Sequence, residues 1–250
     1  MADCDYHPAG TQKSFRCPPL AIEHAFQHQF NDPAQALEFA DFIELIQPLQ
    51  APLFFDLGAH FGLFTHVLLA GGGPRARAVA VDPSGVACSM VRRIAAANGW
   101  SERLEVIQGA IGGADGELEM VDGGVMLAGY FMAAADQPSG DRIRVPRLTI
   151  DELVRRVGRT PDLIKIDIES FELEVFDGAH RTLAGARIPL CLEIHNRYIR
   201  ERGANPAEVL EKISALGYTR WTIRNRALSA AEILKPDLIR IVARGASMAA

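Results

Sequence analysis

From Leu53 onward the chain alternates short apolar runs with stretches of helical periodicity, and no other feature of it restricts the fold so strongly. Parallel neighbours in a sheet need a crossover of a dozen or more residues, usually a helix, so this alternation predicts βαβ units and a mostly parallel sheet. Strands are predicted at residues 53–57, 78–81, 104–107, 163–168 and 190–194, and the continuous apolar character of 53–57 predicts burial on both faces. Asp56 near its end is the exception. Between them, Val86, Met90 and Ile94 form a helical stripe closed by Asn98-Gly99, and Asn205-Pro206 opens a helix carrying Val209, Ile213 and Leu216 before Gly217. Residues 218–223 and 238–242 read as two further strands whose connection is too short for a parallel crossover, which predicts an antiparallel hairpin at a sheet edge.

Two stretches interrupt the pattern. Residues 112–149 hold Gly112-Gly113, Gly116, Gly123-Gly124 and Pro138 among short alternating segments, and are expected to form an insertion or a β-rich excursion. Residues 1–20, with Cys4, Pro8, Gly10, Pro18 and Pro19 and no apolar periodicity, read as a loose arm. A helix follows, with Asp32 as N-cap, Pro33 at the first helical position, and Leu37, Ala40 and Ile43 on its apolar face up to Pro48. The expected division is therefore an arm and helix over 1–50, able to cap a ligand, and a main domain over 51–245.

A chain of 250 residues, 48% hydrophobic and 23% charged, is long enough for one large α/β domain. Its formal charge of −5 offers no general attraction to phosphate backbones, so the expected partner is a small molecule and not a nucleic acid. Cys4, Cys17, Cys88 and Cys191 are scattered without metal-type or disulfide-framework spacing, which suits a reducing compartment. With neither a leader pattern nor an apolar run of spanning length, the expectation is a cytoplasmic protein without a membrane partner. A homo-oligomer is left open.

In open α/β sheets the ligand sits beyond the carboxyl ends of the strands, so the first strand-to-helix turn is where chemistry is sought. It reads Gly58-Ala59-His60-Phe61-Gly62. Gly58 suits the tight turn, Ala59 permits close backbone approach, and Gly62 lets the next helix begin against the sheet. The Gly-x-Gly-x-x-Gly spacing of a dinucleotide site is absent, as is a phosphate loop ending in Gly-Lys-Ser/Thr. Asp56, two residues before the first glycine, would repel a pyrophosphate but suits a cofactor with a cationic amino group beside a sulfonium. These features favour S-adenosylmethionine over NAD. The second strand ends Val81-Asp82-Pro83, where Asp82 is positioned to accept the ribose hydroxyls.

Taken together, Phe55-Asp56-Leu57-Gly58-Ala59-His60-Phe61-Gly62, then Ala80-Val81-Asp82-Pro83, then Ala110-Ile111-Gly112 with Asp115-Gly116, and finally Lys165-Ile166-Asp167-Ile168-Glu169-Ser170-Phe171-Glu172, resemble the FkbM family of methyltransferases. The resemblance runs from about Leu53 to Tyr218. It implies a Rossmann-like class I methyltransferase fold with a seven-stranded, mostly parallel sheet, an antiparallel edge strand and helices on both faces. It also implies methyl transfer, most often to a sugar or natural-product hydroxyl, with adenine near Gly109 and Ala110. The sequence departs from the family where Asp82 stands in place of a frequent Glu and Ser170 in place of a frequent Gly.

Methyl transfer from a sulfonium is an in-line displacement that requires positioning first and, for a hydroxyl acceptor, a proton acceptor second. The candidates are Asp167, Glu193 and His195, at the ends of the fourth and fifth strands, with Lys165 and Glu169 predicted on the same strand face as Asp167. Lys165 is expected to neutralise Asp56 or Glu193. Arg197, Arg200 and Arg202 read as a solvated charge run. Asp167 and Glu193 also offer oxygen ligands for a divalent metal, although no independent ligand motif accompanies them. His24 and His28, four apart, are read as coincidental in spacing. The competing readings are N-methylation of a nitrogen acceptor, a non-catalytic partner subunit retaining the fold, and a nicotinamide oxidoreductase, the last opposed by the glycine spacing and Asp56.

Overall fold

The computed structural model describes residues 2–27, 33–121 and 142–248. The expected loose arm is a β-hairpin, in which β1 (Cys4–Tyr6) pairs antiparallel with β2 (Phe15–Cys17) and buries Phe15 and Cys17. Strands of three residues are too short to display an alternating pattern, so the sequence conceals them. The Asn98 side chain ties the hairpin down by accepting from the Arg16 backbone N–H at 2.8 Å and donating to the Arg16 carbonyl at 2.7 Å. After helix α1 (Pro19–Ala21) and a π-helical turn at Ile22–Phe26, α2 spans Pro33–Ile46. The N-cap expected at Asp32 lies outside the described residues.

The central sheet is built from β3 (Leu53–Leu57), β4 (Arg77–Asp82) and β5 (Leu104–Gln108), then β9 (Leu163–Ile166), β10 (Leu190–Ile194), β11 (Tyr218–Ile223), β12 (Arg226–Ala227) and β13 (Ile239–Gly245). β6 (Ala110–Ile111), β7 (Gly116–Val121) and β8 (Arg142–Leu148) form a separate three-stranded sheet, the β-rich excursion. Gly123-Gly124 and Pro138 of that excursion lie outside the described residues. The main sheet runs β12-β11-β13-β10-β9-β3-β4-β5, with parallel pairing from β10 through β5. β13 pairs antiparallel with both β10 and β11, which places the one reversed strand of the expected seven a step in from the edge. The eighth strand, β12, is a two-residue return from β11 through Arg224 and Asn225, both at positive φ as a tight hairpin turn demands.

Helices cover both faces. On one, α5 (Ile150–Val157), α9 (Ala207–Ala215) and α10 (Ala230–Leu234) pack Leu153, Ile213 and Ile233 against the sheet; on the other, α2, α3 (Leu63–Gly71) and α4 (Gly85–Ala97) contribute Phe39, Phe42, Phe64, Leu68 and Ile94. Shorter helices α6 (Glu172–Val175), α7 (His180–Leu183) and α8 (Asn196–Glu201) fill the connections around β10. No described helix is long and apolar enough to cross a membrane.

Helix α2 corrects one expectation. Leu37, predicted on its core face, is exposed, whereas Phe39, Phe42 and Ile46 are buried together with Glu38 and Asp41. The helix is turned so that two acids face inward, which is tolerable because both are paired: Glu38 with Lys165 and Arg240, Asp41 with Arg224.

Candidate active site

A cavity of about 580 Å³ opens beyond the carboxyl ends of β3, β4, β9 and β10. Asp56, Gly58, Ala59, His60, Gly62, Asp82, Pro83, Gly109 and Ala110 all line it, and so do Asp167, Glu193 and His195. The structure thus gathers the candidate cofactor-binding and catalytic residues around one space.

The turn after β3 is clamped between two strands. Gly58 and Ala59 donate backbone N–H groups to the Val81 carbonyl at 2.9 and 3.1 Å. On the other side Gly58, at φ +80°, lies so near β9 that a Cβ would sit 1.7 Å from the Asp167 carbonyl oxygen. Glycine is required there for both reasons. Asp56 is buried and its Oδ2 accepts from the Thr65 hydroxyl at 2.6 Å and the Thr65 N–H at 3.2 Å, so this acid also anchors the start of α3. Burial raises its pKa, and Lys165 and the Thr65 hydrogen bonds oppose that. Asp82 accepts from the His60 N–H at 2.7 Å and the Ser84 N–H at 2.8 Å, which locks the β4 end to the glycine turn. Burial pushes its carboxyl up to about 6 against the pull of those two N–H groups. Gly109 donates to the Asp82 carbonyl at 3.0 Å and abuts β8, where a Cβ would meet the Pro146 carbonyl at 2.9 Å.

Beside this turn lies an ionic cluster. Lys165 Nζ contacts Asp167 Oδ2 at 2.8 Å and Glu38 Oε1 at 3.8 Å, over the face of Phe64. The direct partners of Lys165 are therefore Asp167 and Glu38, where Asp56 or Glu193 was expected; Glu193 is bound instead by Arg240 at 2.7 Å. Burial alone would lower the Lys165 ammonium, but Asp167 and then Glu38 outweigh it and hold its pKa raised. Asp167 is drawn down to about 2, because Lys165 and His195 overcome the effect of burial. Glu193 moves the other way, well above the usual carboxylate range, through burial and the charges of Asp167 and Glu38.

His195 stands at the end of β10, stacked on Tyr198. Its Nδ1 is 2.7 Å from Glu172 Oε1, while Nε2 faces Glu169 Oε2 at 3.3 Å, Glu193 Oε1 at 3.8 Å and Asp167 Oδ1 at 3.9 Å. Burial lowers the affinity of the imidazole for a proton, but Glu172 and the other carboxylates raise its pKa to about 9. Burial raises Glu169 to about 7. Glu169 does not continue the strand as its alternation with Lys165 and Asp167 suggested. β9 ends at Ile166, and Glu169 and Ser170 turn the chain at φ +52° and +82°.

Arg197 and Arg200 engage Glu201 and the Leu234 carbonyl, and Arg202 binds Glu174 and the Ser170 carbonyl, as befits local surface pairing. His24 lines the cavity, whereas His28 lies outside the described residues. Sequence reasoning missed Glu38 and Arg240, which bracket the cluster, and gave no role to Glu172, although it closes the strand-four motif. It also missed Phe26 and Gln35, which bring the N-terminal segment to the cavity rim.

The open, mostly parallel sheet with one reversed strand and a cavity beyond the parallel carboxyl ends is the fold of the class I methyltransferases. Residues 56–220 match the methyltransferase FkbM domain, and the chain belongs to that family. Among solved structures it is similar to a methyltransferase FkbM from Methylobacillus flagellatus KT (TM-score 0.51, 14% identity), over 78% of this chain and 44% of that one. The chain thus spans less than half of that relative. It is also similar to a putative rRNA-methylase from Clostridium thermocellum (TM-score 0.50, 10% identity, 84% and 94% covered) and to a SAM-dependent O-methyltransferase from Thermotoga maritima (TM-score 0.48, 12% identity, 99% and 79% covered). None of the curated proteins matches the sequence.

Proposed function

We propose that the protein transfers the methyl group of S-adenosylmethionine to a hydroxyl oxygen of a sugar or other small natural product. The observation that carries this reading is the placement, side by side along one cavity, of an acid-flanked glycine turn and a cluster of titratable side chains. The turn fits the cofactor: Gly58 leaves the backbone bare of side chain, Asp82 presents a carboxylate for the ribose hydroxyls, and Gly109 and Ala110 line the place for adenine. Asp56 and its neighbours give the negative surroundings that a sulfonium and an ammonium require. When bound, the cofactor supplies an electrophilic methyl carbon. The residues of the chain orient the acceptor in line with it, exclude water and receive the hydroxyl proton at the Asp167, Glu169, Glu193 and His195 cluster.

That cluster supports oxygen over nitrogen as acceptor, because a neutral amine is nucleophilic enough to attack before it loses a proton, whereas a hydroxyl needs a base. Its negative charge also disfavours a polyanionic substrate. The reach of His24, Phe26 and Gln35 into the cavity supports residues 1–50 as its cap. The test is calorimetric titration with S-adenosylhomocysteine, followed by a screen of hydroxylated metabolites and sugars with labelled cofactor. Saturable binding that weakens at least tenfold in Asp82→Ala, with methylation of a hydroxyl lost in Asp167→Asn, is expected. An Asp167→Asn variant that stays active on an amine would replace oxygen by nitrogen. Binding without turnover on any acceptor would favour a partner subunit.

A further inference from the structure

The imidazole of His195 is buried, with carboxylates facing both ring nitrogens. It is 5% exposed, and Glu172, itself fully buried, holds Nδ1 at 2.7 Å. A carboxylate on one ring nitrogen fixes the tautomer and aims the lone pair of the other, the arrangement that accompanies metal-binding histidines. Here Nε2 is aimed at oxygen atoms alone, those of Glu169, Glu193 and Asp167, at 3.3–3.9 Å. One ligand atom each from Asp167, Glu193 and His195 lies within 4.8 Å of the others, a spread that a single ion at ordinary oxygen and nitrogen bond lengths of about 2.0–2.4 Å can span.

The surrounding charges point the same way. Glu38, Asp56, Asp167, Glu169, Glu172 and Glu193 converge on this region, and among the described residues Lys165, Arg240 and, when protonated, His195 are the basic side chains in salt-bridge contact with them, so six acids face three cations. Lys165 takes Asp167 Oδ2 and leaves the Oδ1 that faces His195, whereas Arg240 takes Glu193 Oε1, the oxygen that also faces His195. The acidic side of the cluster that opens to the cavity stays undercompensated.

We propose that Asp167, Glu193 and His195 bind a divalent cation, of the Mg²⁺ or Mn²⁺ kind that suits a set with two carboxylates of three ligands, and that the remaining coordination positions take the acceptor. This deepens the proposed O-methyl transfer and rests on it for the identity of the acceptor. The cation would bind the acceptor oxygen and acidify its hydroxyl, and Glu169 would take the proton. The oxygen then forms its bond to the methyl carbon as the carbon–sulfur bond breaks, and the sulfur keeps that electron pair. Asp167, Glu193 and His195 are thereby ligands, and Glu172 is a positioning residue acting through His195.

The test is titration of the metal-free full chain with Mn²⁺, followed by the loss of the free-ion electron paramagnetic resonance signal, with S-adenosylhomocysteine affinity measured in parallel. One ion per chain is expected. Binding should weaken at least tenfold in His195→Gln and in Glu193→Gln, and by a smaller factor in Glu172→Gln, while homocysteine-cofactor affinity stays within about twofold and shows that each variant is folded. Full-strength Mn²⁺ binding in either ligand variant, or no depletion of the free signal by wild type at millimolar ion, overturns the site. Metal binding without cofactor binding upholds the site and refutes the methyl-transfer reading instead.

Discussion

Substituting Gly58 by alanine tests whether the cofactor turn and the β9 end form one mechanical unit. The added Cβ would lie 1.7 Å from the Asp167 carbonyl oxygen and 2.8 Å from its carbon, both backbone atoms that no rotamer change can move. Ordinary contact begins near ~3.5 Å, so the turn and the strand end must part by roughly 1.5–2 Å. A side chain at φ +80° costs about 1–2 kcal/mol, and overpacking adds about 1–3 kcal/mol. At about 2–4 °C per kcal/mol for a chain of this size, the melting temperature should fall on the order of 10 °C. Gly99→Ala isolates the conformational part, since Gly99 has φ +70° and nothing within 4 Å of its would-be Cβ. Thermal unfolding followed by circular dichroism should show a clearly larger loss for Gly58→Ala, and S-adenosylhomocysteine binding should weaken only there. Equal losses in the two variants would refute the claim that the turn is wedged against β9.

Asp82 should make cofactor affinity depend on pH. Its raised pKa means that below about 6 the free protein holds a proton that a carboxylate accepting two ribose hydroxyls must release. The dissociation constant should therefore rise about tenfold between pH 7.5 and 5, a factor that follows from mass action on a single proton. Titration of Asp82→Asn over the same range should give a weak but flat profile, and a wild-type profile equally flat would exclude this assignment. Lys165→Met should lower unfolding free energy by about 3–5 kcal/mol, because it leaves Asp167 and the buried Glu38 without their shared cation. In urea denaturation, Glu38→Gln added to Lys165→Met should restore part of the loss, and strict additivity of the two changes would speak against a coupled network.

Most parallel strands were legible because a strand buried on both faces is a continuous apolar run, and β3, β4 and β10 lie where such runs occur. The glycine turn was legible for a related reason: Asp56–Gly62 and Asp82 meet through local backbone geometry that sequence spacing encodes. Errors arose where long-range pairing overrides a local pattern. The alternation of Lys165, Asp167 and Glu169 carries on past Ile166, yet the backbone turns at Glu169 and Ser170, and no periodicity announces a positive φ outside glycine. On α2, the spacing of Leu37, Ala40 and Ile43 misjudged the buried face because the cations that make Glu38 and Asp41 tolerable come from β9, β13 and the β11–β12 turn.

Those buried acids bear on why the site has its form. A charge withdrawn from water is costly unless paired, and replacing such pairs by apolar residues is often neutral or stabilising, so a network of this size is not explained by stability. Its geometry is more telling than its energy. Glu38 sits between Lys165 and Arg240, and those two cations in turn hold Asp167 and Glu193 on adjacent strands. Glu172 does the same for His195 from the short helix after β9. Three side chains facing the cavity are thus each fixed by a partner behind them, and the partners come from elements that pack independently of any ligand. The arrangement holds this part of the cavity in one geometry before any ligand arrives, as the proposed in-line transfer, with little tolerance for misalignment, requires.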